Sequence, residues 1–299
     1  MGNRSFSVPS PAKINMVLKI TGIRKDGYHN IASLFQMVDL CDTVTFSPEP
    51  SGRVLVTCSD KSIPQKKNLA YKAAMMLWRP GLPGVRIHIE KKIPSGAGLG
   101  GGSSNAATVL AALNQIWGLD IAKPALRAIG ARLGADVPFF LFAPRAWVTG
   151  IGDKLTCLPP AENFYALLVK PRVKVPTAKA YREFDARLTK PLSLYKIPTI
   201  FKKEGVLLGD AVRFLDNDLE DTVLGAYPVI AKVRGVLRRL KGKGVMLTGS
   251  GSAIFALFDN HRGALEAYRE ISLGPWWCEV TQPRYSMKHI DIAGRHRWT

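Results

Sequence analysis

The chain has 299 residues, 46% of them hydrophobic, and its 42 Lys and Arg against 23 Asp and Glu give a formal charge of +19. Such a length and apolar content can bury a full core and suggest two domains more than one. No apolar run approaches the roughly 20 residues needed to cross a bilayer, the start carries no secretory core, and Phe6 stands where a myristoylation signal wants Ser or Thr, so no membrane partner and a cytoplasmic location are expected.

A field of this sign attracts polyanions without saying which. The basic residues are spread among Lys66-Lys67, Lys91-Lys92, Lys202-Lys203, the run from Arg238 to Lys243 and the tail. No stripe with interleaved aromatics emerges, which argues against a nucleic-acid groove. Cys41, Cys58, Cys157 and Cys278 are scattered without a C-x-x-C pair, so buried thiols are expected rather than disulfides or structural zinc.

Along the first half, alternating apolar positions predict strands near 14–20, 43–46 and 53–58, with a helix from Asn68 to Trp78. Val85, Ile87 and Ile89 alternate with Arg86, His88 and Glu90, the pattern of a strand wet on one face. It feeds Pro94-Ser95-Gly96-Ala97-Gly98-Leu99-Gly100-Gly101-Gly102-Ser103-Ser104, where five glycines fall within seven residues. Successive amides can point into one concavity there, and the helix that follows offers its unpaired donors to an anion. Ala106, Val109, Leu110, Leu113 and Trp117 give that helix its apolar face; Ser103, Ser104 or Asn105 can cap it, and Gly118 can end it. The pattern Gly96-x-Gly98-x-x-Gly101, with Asp120 downstream, also fits a dinucleotide fingerprint, but the half-wet strand before it does not suit a parallel strand buried on both faces.

A second helix is expected over about 122–133, then Asp136 opens a short apolar element as an N-cap with Pro138 in the first turn. The Pro- and Gly-rich stretch near 144–160 is the candidate domain junction. Beyond it come a buried strand at Ala166–Val169 and an amphipathic helix over Pro228–Leu240, with Val229, Val233, Val236, Leu237 and Leu240 inward and Lys232, Arg234, Arg238 and Arg239 outward. Last, Val245–Leu247 and Ala253–Phe258 flank Thr248-Gly249-Ser250-Gly251-Ser252 as a hairpin. Five small residues exceed what a tight turn needs, and they let a loop or ligand approach closely.

Several separated segments resemble one family, the small-molecule kinases named for galactose, homoserine, mevalonate and phosphomevalonate. They are Pro11-Ala12-Lys13-Ile14-Asn15 with Asp26-Gly27-Tyr28-His29, the glycine run through Asn105, Gly134-Ala135-Asp136-Val137-Pro138-Phe139-Phe140, Asn217-Asp218-Leu219-Glu220, and Leu247 to Gly251. The resemblance spans roughly residues 8–258. It implies a two-domain α+β fold, with a ribosomal-protein-S5-domain-2-like ATP-binding domain over 1–158 and a ferredoxin-like substrate domain over 159–299.

The resemblance also implies ATP as phosphoryl donor, held by residues 94–104 with Asn68 touching the nucleotide, and Mg²⁺ near Ser103 or Ser104. Its most specific segments imply a small-molecule acceptor that is a cytidine diphosphate derivative of methylerythritol. By the same match Lys13 and Asp136 are the catalytic pair; Asn15, Gly249 and Ser250 approach the substrate; Tyr28 and Tyr181 stack on its base; and His29 reads the base edge. Read singly, several have plainer explanations: Lys13 as a solvated side chain, Asp136 and Asn68 as helix caps, Tyr28 and His29 as turn residues. The high charge and the tail over 281–299, with His289, His296 and Trp298, are not family traits.

Overall fold

The computed structural model describes residues 5–189 and 191–290. Strands β1 (Phe6–Ile23) and β2 (His29–Glu49) form a long antiparallel hairpin, followed by β3 (Val54–Cys58), α1 (Leu69–Leu77), β4 (Gly84–Glu90), α2 (Gly101–Ile116), α3 (Lys123–Ala131) and α4 (Val137–Phe140). Then come β5 (Arg145–Gly150), β6 (Lys154–Cys157), β7 (Tyr165–Lys170), α5 (Thr177–Arg187), α6 (Leu208–Ala211), β8 (Asp216–Asn217) and α7 (Glu220–Ala226). The described chain closes with α8 (Pro228–Arg239), β9 (Val245–Leu247), β10 (Ile254–Phe258), α9 (His261–Ile271) and β11 (Trp277–Thr281).

Two sheets result. The first runs β3-β4-β2-β1-β8, with β5 pairing β2 and β6 pairing β5; the second runs β11-β7-β10-β9. One core lies under α1, α2 and α4, built on Val85, Ile87, Ile89, Val109, Leu110 and Leu113. The sheets share a second core, in which Ala166, Leu168, Phe255 and Leu257 meet Ile14, Leu34 and Trp147. On its other face the second sheet turns Leu167, Val169, Ile254 and Ala256 against α8 and α9. Being covered on both faces, β7 and β10 read as continuous apolar runs rather than alternating ones.

The strand before the glycine run alternates as expected, with Val85, Ile87 and Ile89 buried and Arg86, His88 and Glu90 exposed. Among the described residues it pairs in parallel only with β3, which precedes it, and antiparallel with β2, so no parallel strand follows the glycine run and α2. This removes the dinucleotide reading, whose fingerprint needs a parallel strand on each side of the glycine turn and its helix. The Pro- and Gly-rich stretch near 144–160 holds the β5–β6 hairpin, which joins the first sheet through β2, and then the connector to β7. Three other expectations are corrected. Val229 is exposed on α8 and Ile230 buried instead, while Arg234 pairs with Glu220 at 2.9 Å rather than pointing free. None of the four cysteines is fully buried, and Cys157 is exposed because it sits on the short outer strand β6. Among the described residues no helix is long and apolar enough to cross a membrane. His296 and Trp298 lie outside the described residues, whereas His289 is buried with its Nε2 3.1 Å from the Phe140 carbonyl.

Candidate active site

The glycine run alternates between two kinds of residue. Gly96, Gly98 and Gly100 take φ of 65°, 78° and 71°, the left-handed region, while Ala97 and Leu99 between them are buried anchors in the core shared by the sheets. Alternation of this kind turns successive amides toward one side, and only glycine visits the left-handed region without penalty. At its end the run becomes α2, and here the expected cap is corrected. Left-handed Gly100 is the N-cap and provides no side-chain hydrogen bond, whereas Ser103 and Ser104 already belong to the first turn and Asn105 follows it. A helix start without a side-chain cap keeps its donors available to an anion.

The cradle faces a cavity of about 310 Å³ lined by Pro94 to Ser103 with Lys67, Asn68, Lys91 and Asn105. Asn68 has both of the roles weighed for it, since its side chain accepts from Ala70 N at 3.0 Å to cap α1 and also reaches the cavity wall. Ser104 is not brought to the wall. It is wholly buried, with its hydroxyl 2.8 Å from that of Ser10 and its amide used by the Gly100 carbonyl, because its place in the first turn faces back onto β1. Ser103, one residue earlier, lines the cavity and stands near Gly134.

Two features of this wall carry no motif. Lys91 pairs with the fully buried Asp42, which also accepts from the amides of Lys92 and Ile93 at 2.8 Å and from Asn105 Nδ2 at 3.0 Å. That network ties the strand before the loop to the helix after it. Asp60 accepts from Ser95 Oγ at 2.9 Å and from Ser62, which hold its carboxyl below the usual range. Asp42 and Lys91 are a buried opposite-charge pair, but 49 residues of chain part them and no periodicity flags it.

A second cavity, of about 160 Å³, lies on the other side of the loop and is lined by Lys13, Asn15, Phe35, Gly98, Gly100, Asp136, Thr177, Tyr181, Gly249 and Ser250. Here β1, the start of α4, α5 and the β9–β10 turn converge. Lys13 is buried, its Nζ donating to Asn15 Oδ1 at 2.6 Å, lying 3.5 Å from Asp136 Oδ2 and 4.6 Å from the centre of the Phe35 ring. Asn15 is fixed in turn by Ser33 Oγ at 3.0 Å, and its backbone amide donates to Thr248 Oγ1 at 3.1 Å. Asp136 makes no side-chain cap bond to α4, so the cap reading fails; its carboxylate, about one-third exposed, opens toward the cavity instead. A four-residue helix offers little to cap.

The small-residue turn at 248–252 explains its own composition. A Cβ on Gly98 would fall 2.2 Å from the Thr248 carbonyl oxygen, and Ala253 N donates to Ala97 O at 3.1 Å, so the close approach is that of one loop upon another. Asn217 holds this turn by donating to the carbonyls of Leu247 and Gly249 at 2.8 and 2.9 Å, and Glu220 accepts from Leu247 N at 2.8 Å. Thus Asn217-Asp218-Leu219-Glu220 acts as a brace rather than a wall. Gly152 is another support, packing against Ala135 next to Asp136, and Asp153 keeps its turn by accepting from Ile151 N at 3.0 Å.

Thr177, Tyr181 and Asp185 lie four residues apart along α5 and so share one face. Thr177 bonds Ser250 at 2.9 Å, the Tyr181 ring stands 4.7 Å from that of His29, and Asp185 Oδ1 lies 2.8 Å from His29 Nε2. Burial pushes the Tyr181 phenol well above its usual range, and the charges of Asp136 and Asp218 push the same way. Tyr28, at the tip of the β1–β2 hairpin, is exposed, and neither it nor His29 is on the wall of the second cavity. Of the two tyrosines, Tyr181 lines that cavity and Tyr28 does not. Thr177 and Asp185 were missed by sequence reasoning, although their spacing of four on either side of Tyr181 was a usable signal.

Residues 68–143 match the family described as GHMP kinases N terminal domain, and residues 197–273 the one described as GHMP kinases C terminal. A relative from Citrifermentans bemidjiense named 4-diphosphocytidyl-2-C-methyl-D-erythritol kinase is 40% identical over 277 residues, covering 92% of this chain and 97% of the relative. A Neisseria gonorrhoeae protein of the same name is 41% identical over 273 residues, covering 91% and 92%. Among solved structures, a crystal structure of 4-(cytidine 5'-diphospho)-2C-methyl-D-erythritol kinase superposes with a TM-score of 0.73 at 33% identity, covering 93% of this chain and all of that one.

Proposed function

The chain belongs to the GHMP kinase family, and from that premise we propose that it transfers the γ-phosphoryl group of ATP to the 2-hydroxyl of 4-diphosphocytidyl-2-C-methyl-D-erythritol, a step in the non-mevalonate isoprenoid pathway. One observation carries the reading: Gly98 and Gly100 line both cavities, so an amide-lined anion cradle and a Lys–Asp pair adjoin at one short stretch of backbone. A Cβ on Gly100 would come within 3.1 Å of both Phe140 and Lys13, which is how little separates the two sides.

Phosphoryl transfer asks a protein chiefly for positioning and for charge to meet charge. In our reading the cradle amides, Ser103 and Lys91 hold the polyphosphate, and Asp136 accepts the hydrogen bond of the acceptor hydroxyl and takes its proton as the new O–P bond forms and the bond to ADP breaks. Lys13 stands 3.5 Å from that carboxylate and meets the charge of the migrating phosphoryl group, while Asn15 fixes the Lys13 ammonium. The donor set fits a polyphosphate. Mg²⁺ would enter with ATP near Ser103, since no group of three or more His, Cys, Asp or Glu among the described residues could hold a metal unaided. Beyond the second cavity, His29, Tyr28 and Tyr181 receive the cytosine.

We divide the chain at 158/159, in the connector between β6 and β7, and place the enzyme in the cytoplasm as part of the same proposal. The test is ADP release by the full chain with ATP and Mg²⁺, comparing the cytidylyl compound with mevalonate and homoserine. Turnover confined to the cytidylyl compound is expected; faster turnover of either simple alcohol would move the chain to a sibling activity.

A further inference from the structure

A carboxylate can only accept, so the 2.8 Å contact between His29 Nε2 and Asp185 Oδ1 puts a proton on Nε2. In a neutral imidazole the other nitrogen is then a bare acceptor. Among the described residues His29 Nδ1 has no hydrogen-bond partner, and the ring, bonded to the carboxylate, also packs against that of Tyr181 with centroids 4.7 Å apart and planes tilted by 37°. His29 is nearly enclosed, with its side chain 9% exposed, so neither ring rotation nor water easily resets the tautomer.

Resting on the proposed function, we infer that Asp185 is a positioning residue that sets base specificity: it fixes His29 as the Nε2–H tautomer, so that Nδ1 accepts from an exocyclic amino group and rejects a carbonyl. Cytosine offers an amino hydrogen at its fourth position, where uracil has an oxygen. Facing that oxygen, Nδ1 would set lone pair against lone pair, and a buried acceptor left unmatched is costly. Stacking on Tyr181 cannot make this choice, because every base has a π-face.

The experiment compares kcat/KM of the full chain for the cytidylyl substrate and its uridylyl analogue in the wild type, Asp185→Asn and Asp185→Glu. With it goes ¹⁵N NMR of histidine-labelled protein, whose five histidines are few enough to assign His29 by substitution. Asp185→Asn can donate to Nε2 and flip the tautomer. Expected is a loss of about 10- to 100-fold on the cytidylyl substrate, mainly in KM, with a far smaller change for the uridylyl analogue, so that the preference collapses. Asp185→Glu should retain part of the preference, and wild-type His29 should show a proton on Nε2 alone with substrate bound.

A preference unchanged in Asp185→Asn, or a wild-type His29 protonated on Nδ1, would overturn the inference while leaving the kinase reading intact. Should Asp185→Asn fail to fold, the wild-type tautomer and Asp185→Glu decide the matter. A wild type that does not turn over the cytidylyl compound at all would instead sink the proposed function.

Discussion

The two cavities on either side of the glycine run are made of different material. The first is built from backbone amides that lie consecutively in sequence, with Lys91 on the wall and Asp42 and Asp60 as braces behind it. The second is built from side chains delivered by β1, α4, α5 and the β9–β10 turn, which span residues 13 to 250. A backbone cradle suits an anion whose shape is always the same, whereas a side-chain cavity can choose among alcohols. Damage should differ accordingly: removing a side chain from the second cavity costs chemistry or selectivity, and adding one to the cradle costs fold.

The sharpest test of that contrast is Asp136→Ala, for which turnover should fall by about 10²- to 10⁴-fold while calorimetric affinity for ATP stays within a few-fold. Equal losses in both would erase the division between the cavities. Next, Gly98→Ala should be far worse than Gly96→Ala. Both glycines are left-handed, but the new Cβ at 98 meets the Thr248 carbonyl and the one at 96 meets nothing within 4 Å. Strain alone costs roughly 1–2 kcal/mol, so Gly96→Ala should lower the melting temperature modestly, whereas Gly98→Ala should part the two loops. Equal melting temperatures would mean that the loops do not depend on this contact.

Tyr28→Ala should raise KM for the cytidylyl substrate about tenfold, the scale of one lost base stack, with KM for ATP nearly unmoved. An unchanged value would leave Tyr28 as an exposed turn residue. The last effect lies outside both cavities. Burial holds the His289 imidazole down at about 4, below the roughly 6.5 of an unfolded histidine. The unfolded chain therefore binds the extra proton first, and stability should decline as pH falls from about 6.5 to about 4, by no more than roughly 3 kcal/mol. His289→Gln should flatten that acid limb in urea titrations; an unaltered limb would assign it to other groups.

Much of the first cavity was legible because its chemistry is local. The spacing of glycines, the half-wet strand before them and the apolar face of α2 lie within about 35 consecutive residues, and dihedral preference acts on neighbours. Even so, the helix cap was misplaced and Ser104 was credited with a cavity it does not reach, since which way a first-turn side chain faces depends on what packs against it. For the second cavity, Lys13, Asn15, Tyr181 and Asp136 were found through family resemblance, not through any local pattern. Thr177, Asp185 and the brace role of Asn217 went unseen.

By itself, then, the amino-acid order determined the strands β3, β4, β7, β9 and β10, parts of β1 and β2, the helices α1, α2, α3 and α8 and the glycine-rich cradle, all of which follow from periodicity and from glycine's freedom of φ, whereas β5, β6, β8 and β11 carried no such signal. Only the tertiary structure decided that Lys13 meets Asp136 at 3.5 Å, that the turn at 248–252 buttresses the cradle, and that α5 turns Asp185 onto His29. Such pairings join residues 123, 150 and more positions apart, and no short-range preference can encode them, because they exist only once the two sheets have closed on their shared core.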